Sequence, residues 1–120
     1  MSGEYEFILP FPPSVNHYWK QKRNGGRYVC QEGKNFKAVV KILVSQKHLP
    51  TLTDRLHVDI KATPPDARRR DIDNILKALL DSLTESGIWK DDSQVKKLSL
   101  EMMPKDTNQK GYVTVRISLC

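Results

Sequence analysis

Polar and apolar residues begin to alternate at once, in Glu4-Tyr5-Glu6-Phe7-Ile8-Leu9, which predicts a first strand over residues 4–9. Pro10, Pro12 and Pro13 end it, because proline cannot donate to a ladder. From 31 to 47 the apolar positions Phe36, Val39, Val40, Leu43 and Val44 recur at i, i+3, i+4, i+7 and i+8, the stripe of an amphipathic helix. Residues 55–62 return to a period of two, with Leu56, Val58, Ile60 and Ala62 on one face and His57, Asp59 and Lys61 on the other. A second helix is predicted from about Asp71, where Ile72, Ile75, Leu76, Leu79, Leu80 and Leu83 form its stripe and Gly87 its stop. Residues 95–103 and 112–119 then read as two strands joined by a polar turn over 104–111, and so as an antiparallel hairpin. The order β-α-β-α-β-β predicts an α+β fold, one small domain spanning 1–120, with two helices covering one face of a mixed sheet of about four strands.

Between the first strand and the first helix, residues 14–29 carry Lys20, Lys22, Arg23 and Arg27 among His17, Tyr18, Trp19 and Tyr28, with Asn24-Gly25-Gly26 as a turn. This is a basic, aromatic loop or hairpin of a kind that stacks on bases and tracks phosphates, although the same pattern suits the edge of a core. A chain of 120 residues buries roughly two-thirds of its unfolded surface and needs neither disulfides nor a structural metal. Cys30 and Cys120 lack any zinc-ligand spacing, and no run approaches the ~18 apolar residues of a membrane helix. A soluble cytoplasmic protein is therefore expected, with no membrane partner. The net charge of +6 fits nucleic-acid binding without requiring it.

The densest chemistry lies in Arg68-Arg69-Arg70-Asp71-Ile72-Asp73-Asn74, followed at a distance by Asp91-Asp92. Helical spacing sets Asp73 and Lys77 on one flank, with Asp71 at the very start. The loop after Gly87 is expected to return one carboxylate of Asp91-Asp92 toward Asp73, so that three aspartates converge. Oxygen donors without His or Cys select Mg²⁺ or Mn²⁺ over zinc, and two or three carboxylates leave room for a phosphate oxygen and a water. The arginine run and Lys77 supply the cations that a polyanionic substrate requires. A purely structural reading stands beside this one: Asp71 as a helix cap, Lys77 and Asp81 as an i, i+4 pair, and Asp91-Asp92 as a turn.

The chain resembles the RusA family of Holliday junction resolvases, found in prophages and bacteria. The likeness lies in the opening Leu9-Pro10-Phe11-Pro12-Pro13-Ser14-Val15-Asn16-His17-Tyr18-Trp19, in the central run from Arg68 through Lys77, in Asp81, and in Gly87-Ile88-Trp89-Lys90-Asp91-Asp92-Ser93-Gln94-Val95. The resemblance implies a homodimeric, Mg²⁺-dependent endonuclease, with Mn²⁺ as a possible substitute, that cuts four-way DNA junctions by paired nicks in recombination and repair. It further implies Asp71, Asp73 and Asp92 as metal ligands, Lys77 as the catalytic basic residue, and Arg70, with Arg68 and Arg69, at the phosphate. Water would attack in line and the 3′ oxygen would leave, giving 5′-phosphate and 3′-hydroxyl ends. Lys20, Lys22, Arg23 and Arg27 are the further DNA-contact candidates. Three other readings remain at this point: a nuclease of flaps and general branched DNA, a non-catalytic nucleic-acid-binding module, and a basic protein with no nucleic-acid function.

Overall fold

The computed structural model describes residues 4–13, 19–21, 27–106 and 110–120. Its elements are β1 (Glu4–Pro10), β2 (Trp19–Gln21), β3 (Arg27–Val29), α1 (Gln31–Ser45), β4 (Leu56–Thr63), α2 (Ile72–Ser86), a single 3₁₀ turn (Asp92–Gln94), β5 (Val95–Met102) and β6 (Tyr112–Leu119). The α+β class, the two helices and the four main strands agree with the sequence pattern. Within the basic segment, β2 and β3 pair antiparallel, with Trp19 opposite Val29, and the expected Asn24-Gly25-Gly26 turn lies outside the described residues.

The main sheet has the order β1-β6-β4-β5. β6 lies antiparallel to both β1 and β4, while β5 lies parallel to β4. The predicted hairpin of residues 95–103 with 112–119 is therefore not formed: β4 lies between the two strands. A polar turn signals only that the chain reverses, and here the returning strand inserts between β1 and β4 instead of pairing with its predecessor. β4, α2 and β5 form a parallel crossover unit, in which the helix returns the chain to the end of the sheet where β4 began.

Alternation places Phe7 and Leu9 of β1, Val58, Ile60 and Ala62 of β4, and Val113, Val115 and Ile117 of β6 on the buried face. The helices cover it with Phe36, Val40 and Val44 from α1 and Ile75, Leu79 and Leu83 from α2. Burial of each such aliphatic side chain contributes about 1.5–3 kcal/mol. Across the two helices, Lys37 bonds Asp81 at 3.0 Å and also Glu85. Burial disfavours the Lys37 charge, but these carboxylates outweigh it and raise its pKa. Asp81 thus serves the helix pair.

Two glycines are required by geometry. Gly87 ends α2 at φ 84°, a left-handed conformation open to glycine with little cost. At Gly111, just before β6, a Cβ would lie 2.6 Å from Pro65 Cδ, 2.7 Å from the Pro65 nitrogen and 2.9 Å from Phe11 Cβ. This close approach fixes the start of β6 against the segment that leads into α2.

Candidate active site

Thr63-Pro64-Pro65 ends β4, and the chain then turns on Asp66. The Asp66 carboxylate accepts the Arg68 backbone N–H at 3.0 Å and Arg68 Nε at 3.2 Å, and it pairs with Arg70 Nη2 at 2.8 Å. Arg70 Nη1 donates in addition to the carbonyls of Asp66 and Arg68, both at 3.1 Å, and its guanidinium lies 5.2 Å from the centre of the Phe11 ring. The Arg68 N–H first, then the Arg70 and Arg68 guanidiniums, lower the Asp66 pKa to about 2.

The three arginines therefore differ in kind. Arg70 is held in place, with a side chain 18% exposed, while the Arg68 side chain is 82% exposed although it touches the same carboxylate. Arg69 is exposed and makes no hydrogen bond or ion pair among the described residues. Lys20 lies on β2 opposite Tyr28, and Arg27 lies on β3 opposite Gln21. Lys22 and Arg23 fall outside the described residues.

α2 begins immediately after the arginine run. Asp71 occupies its N-cap position in extended conformation, yet its side chain makes no capping hydrogen bond. The usual structural use of an aspartate there is thus not taken up. Asp73 lies in the first turn, and both carboxylates are exposed without a hydrogen bond or ion pair among the described residues. Lys77, one turn further along, is also exposed. The positive end of the helix dipole favours negative charge at this position.

The far end of α2 is anchored by Trp89, which is buried and donates from Nε1 to Thr84 Oγ1 at 2.7 Å. Leu52 bridges to Trp89 and donates its N–H to the Ile88 carbonyl at 2.8 Å. Asp91 and Gln94 then form a capping box around the 3₁₀ turn. Hydrogen bonds from the Ser93 hydroxyl and then the Ser93 N–H keep the Asp91 carboxyl below the ordinary range. Gln94 Oε1 accepts from the Lys90 and Asp91 N–H groups at 2.8 and 2.9 Å, and its Nε2 donates to the Leu52 and Asp54 carbonyls, both at 3.0 Å. Asp92 follows; its backbone takes part in the turn, while its exposed carboxylate makes no hydrogen bond or ion pair among the described residues. Of the acidic pair, one member is committed to the turn and the other is available.

The predicted convergence of three aspartates does not occur within one chain. α2 has fifteen residues, and a helix of that length spans roughly 22 Å. Asp71 and Asp73 lie at one end and Asp92 beyond the other, beside the start of β4, where Val95 pairs with Leu56. Among the described residues no three His, Cys, Asp or Glu side chains lie together as a metal site.

Three residues near the candidate acids were given no role by the sequence reading. Asp66 gathers two arginines, Phe11 supports one of them, and Gln94 holds the Asp92 turn. The Asp-x-x-Gln spacing of 91 and 94 carries a capping-box signal; nothing local assigned Asp66 or Phe11 their part in holding Arg70. No described helix is long and apolar enough to cross a membrane.

Comparison with known proteins places this geometry in context. The profile of the family described as endodeoxyribonuclease RusA matches residues 10–118. The chain is 45% identical over 93 residues, 77% of each sequence, to the crossover junction endodeoxyribonuclease rusA of Enterobacteria phage HK97. It is 38% identical over 101 residues, 83% of each sequence, to the crossover junction endodeoxyribonuclease RusA of Escherichia coli strain K12. The corresponding protein of Enterobacteria phage 82 is 37% identical over the same share.

Proposed function

The chain belongs to the RusA family of endodeoxyribonucleases, and from that premise we propose that it resolves four-way DNA junctions as a divalent-metal-dependent homodimer, by paired nicks in recombination and repair in the cytoplasm. The observation that carries this reading is the pair of carboxylates at the start of α2, Asp71 and Asp73, committed neither to a cap nor to an ion pair among the described residues. They adjoin three arginines, a surface suited to a phosphodiester.

The donor set fits a hard cation. It is all oxygen and exposed, and two carboxylates leave coordination positions for water and phosphate. Mg²⁺, or Mn²⁺ in its place, supplies positive charge to the scissile phosphate and acidifies water when bound. Asp71 and Asp73 would hold it, with Asp92 as the third ligand. Arg68 and Arg69 offer guanidiniums to the flanking phosphates, with the β2–β3 ribbon as a second contact. Lys77 places an ammonium one turn from Asp73, where it stabilises charge that develops on the phosphate and the leaving 3′ oxygen.

Since α2 separates Asp92 from the other two ligands, the reading requires a second copy. Packing two copies of α2 antiparallel about a two-fold axis sets Asp92 of the partner subunit beside Asp71 and Asp73, and completes two sites together. β5 suits such a contact: it is an edge strand of the sheet, and Leu98 on it and Ile72 on α2 are 38% and 45% exposed. Two opposed sites match the two-fold symmetry of a junction.

The test uses a four-way junction labelled on each strand in turn, with Mg²⁺ and linear duplex, flap and single-stranded controls. Asp73→Asn and Asp92→Asn should each abolish cutting while junction binding persists. An equimolar mixture, refolded together, should regain nicking, because the mixed dimer contains one site with all three aspartates. A mixture that stays inactive would refute the shared site. Cutting spread over flaps and single strands would refute junction selectivity.

A further inference from the structure

Arg68 and Arg70 lie one to five residues from the carboxylates of Asp71 and Asp73, well within the reach of a guanidinium on a flexible stem. Opposite charges so close in sequence would ordinarily pair. In this structure neither Asp71 nor Asp73 has an ion-pair partner among the described residues, and Arg68 and Arg70 both turn back to Asp66. The arrangement is over-determined. Asp66 binds the Arg68 backbone as well as both guanidiniums, Arg70 bonds two carbonyls besides, and Phe11 covers its face. Gly111 lets Phe11 and Pro65 close on the same point.

We propose that Asp66 is a positioning residue of the metal site: by gathering Arg68 and Arg70 on its own carboxylate it keeps both cations off Asp71 and Asp73, whose oxygens stay available to a divalent ion. This rests on the reading of Asp71 and Asp73 as metal ligands. A guanidinium paired to either would have to be displaced before the ion could bind. Asp66 thus acts on the metal through the arginines, without touching it. Once DNA arrives, the exposed Arg68 can exchange Asp66 for a backbone phosphate, while Arg70 stays braced against Phe11.

The experiment titrates the full-length protein with Mn²⁺ alone, without DNA, and reads free Mn²⁺ by electron paramagnetic resonance, with Asp73→Asn as the blank. Asp66→Asn should raise the half-saturating Mn²⁺ concentration about five-fold, the scale of one or two surface ion pairs to be displaced. Asp66→Ser, whose hydroxyl can still accept the Arg68 N–H and keep the turn, should give the same weakening. Adding Arg68→Gln and Arg70→Gln to Asp66→Asn should return the affinity to within about two-fold of wild type. A purely structural role for Asp66 predicts the opposite, since removing further parts of a brace loosens the site more. Unchanged affinity in folded Asp66→Asn and Asp66→Ser, or further loss in the triple variant, would overturn the proposal while leaving the metal site standing. Wild-type protein that binds Mn²⁺ no better than the blank would overturn both.

Discussion

Replacing Gln94 by Met removes a polar clamp without opening a cavity, because the two side chains are close in length and volume. In the native turn the Gln94 amide makes four hydrogen bonds, to the N–H groups of Lys90 and Asp91 and to the carbonyls of Leu52 and Asp54. A neutral hydrogen bond contributes about 0.5–1.5 kcal/mol net. The bond to the Leu52 carbonyl is partly buried and belongs near the upper end; the other three lie at the exposed side, where water replaces much of what is lost. The sum is about 2–3 kcal/mol, equivalent to a fall in Tm of about 6–15 °C for a domain of this size. Urea unfolding should show a lower midpoint with an unchanged slope. Junction cleavage should fall by more than about ten-fold as the Asp92 turn loosens, while junction binding changes little. A Gln94→Met protein within about 0.5 kcal/mol of wild type would refute the clamp.

Other expectations are simpler. Gly111→Ala should destabilise by about 2–4 kcal/mol, since its Cβ would meet Pro65 backbone and Phe11, whereas Gly87→Ala meets open space and should lose only about 1 kcal/mol, from its φ of 84°; equal losses in urea unfolding would contradict this. Asp66 has a folded pKa of about 2 against an ordinary 3.8. Its contribution to stability is therefore present above pH ~4 and lost as pH falls through about 2, so Asp66→Asn should flatten the acid limb of the stability profile over that window. Chelating divalent cations with EDTA should stop cleavage and leave an electrophoretic shift with junction DNA; a shift that disappears with the metal would point to recognition through the ion itself.

The periodic segments were legible in the chain because each one buries a face. Phe36, Val40 and Val44, like Ile75, Leu79 and Leu83, lie where the helical stripe placed them. The partner of a strand is a different kind of information. Nothing in 104–111 distinguishes a hairpin from a connection that passes over β4, and only the assembled sheet decides. The separation of Asp92 from Asp73 was within reach of arithmetic, since a helix of fifteen residues parts its flanking loops by its own length. The Asp66 cluster was not, because it depends on Phe11 and Gly111, some fifty residues away on either side, closing on one turn.

The place of β6 also shapes how the protein comes into being. It is the last strand of the sheet in sequence, and it alone joins β1 to β4. During synthesis, β1 can find its sheet neighbour only after residues 112–119 have left the ribosome, so the four-stranded sheet cannot close before then. Until then β1 waits as an orphan beside a separate β4–β5 unit, and the nascent chain, although it already carries every candidate acid, has no finished scaffold on which to hold them.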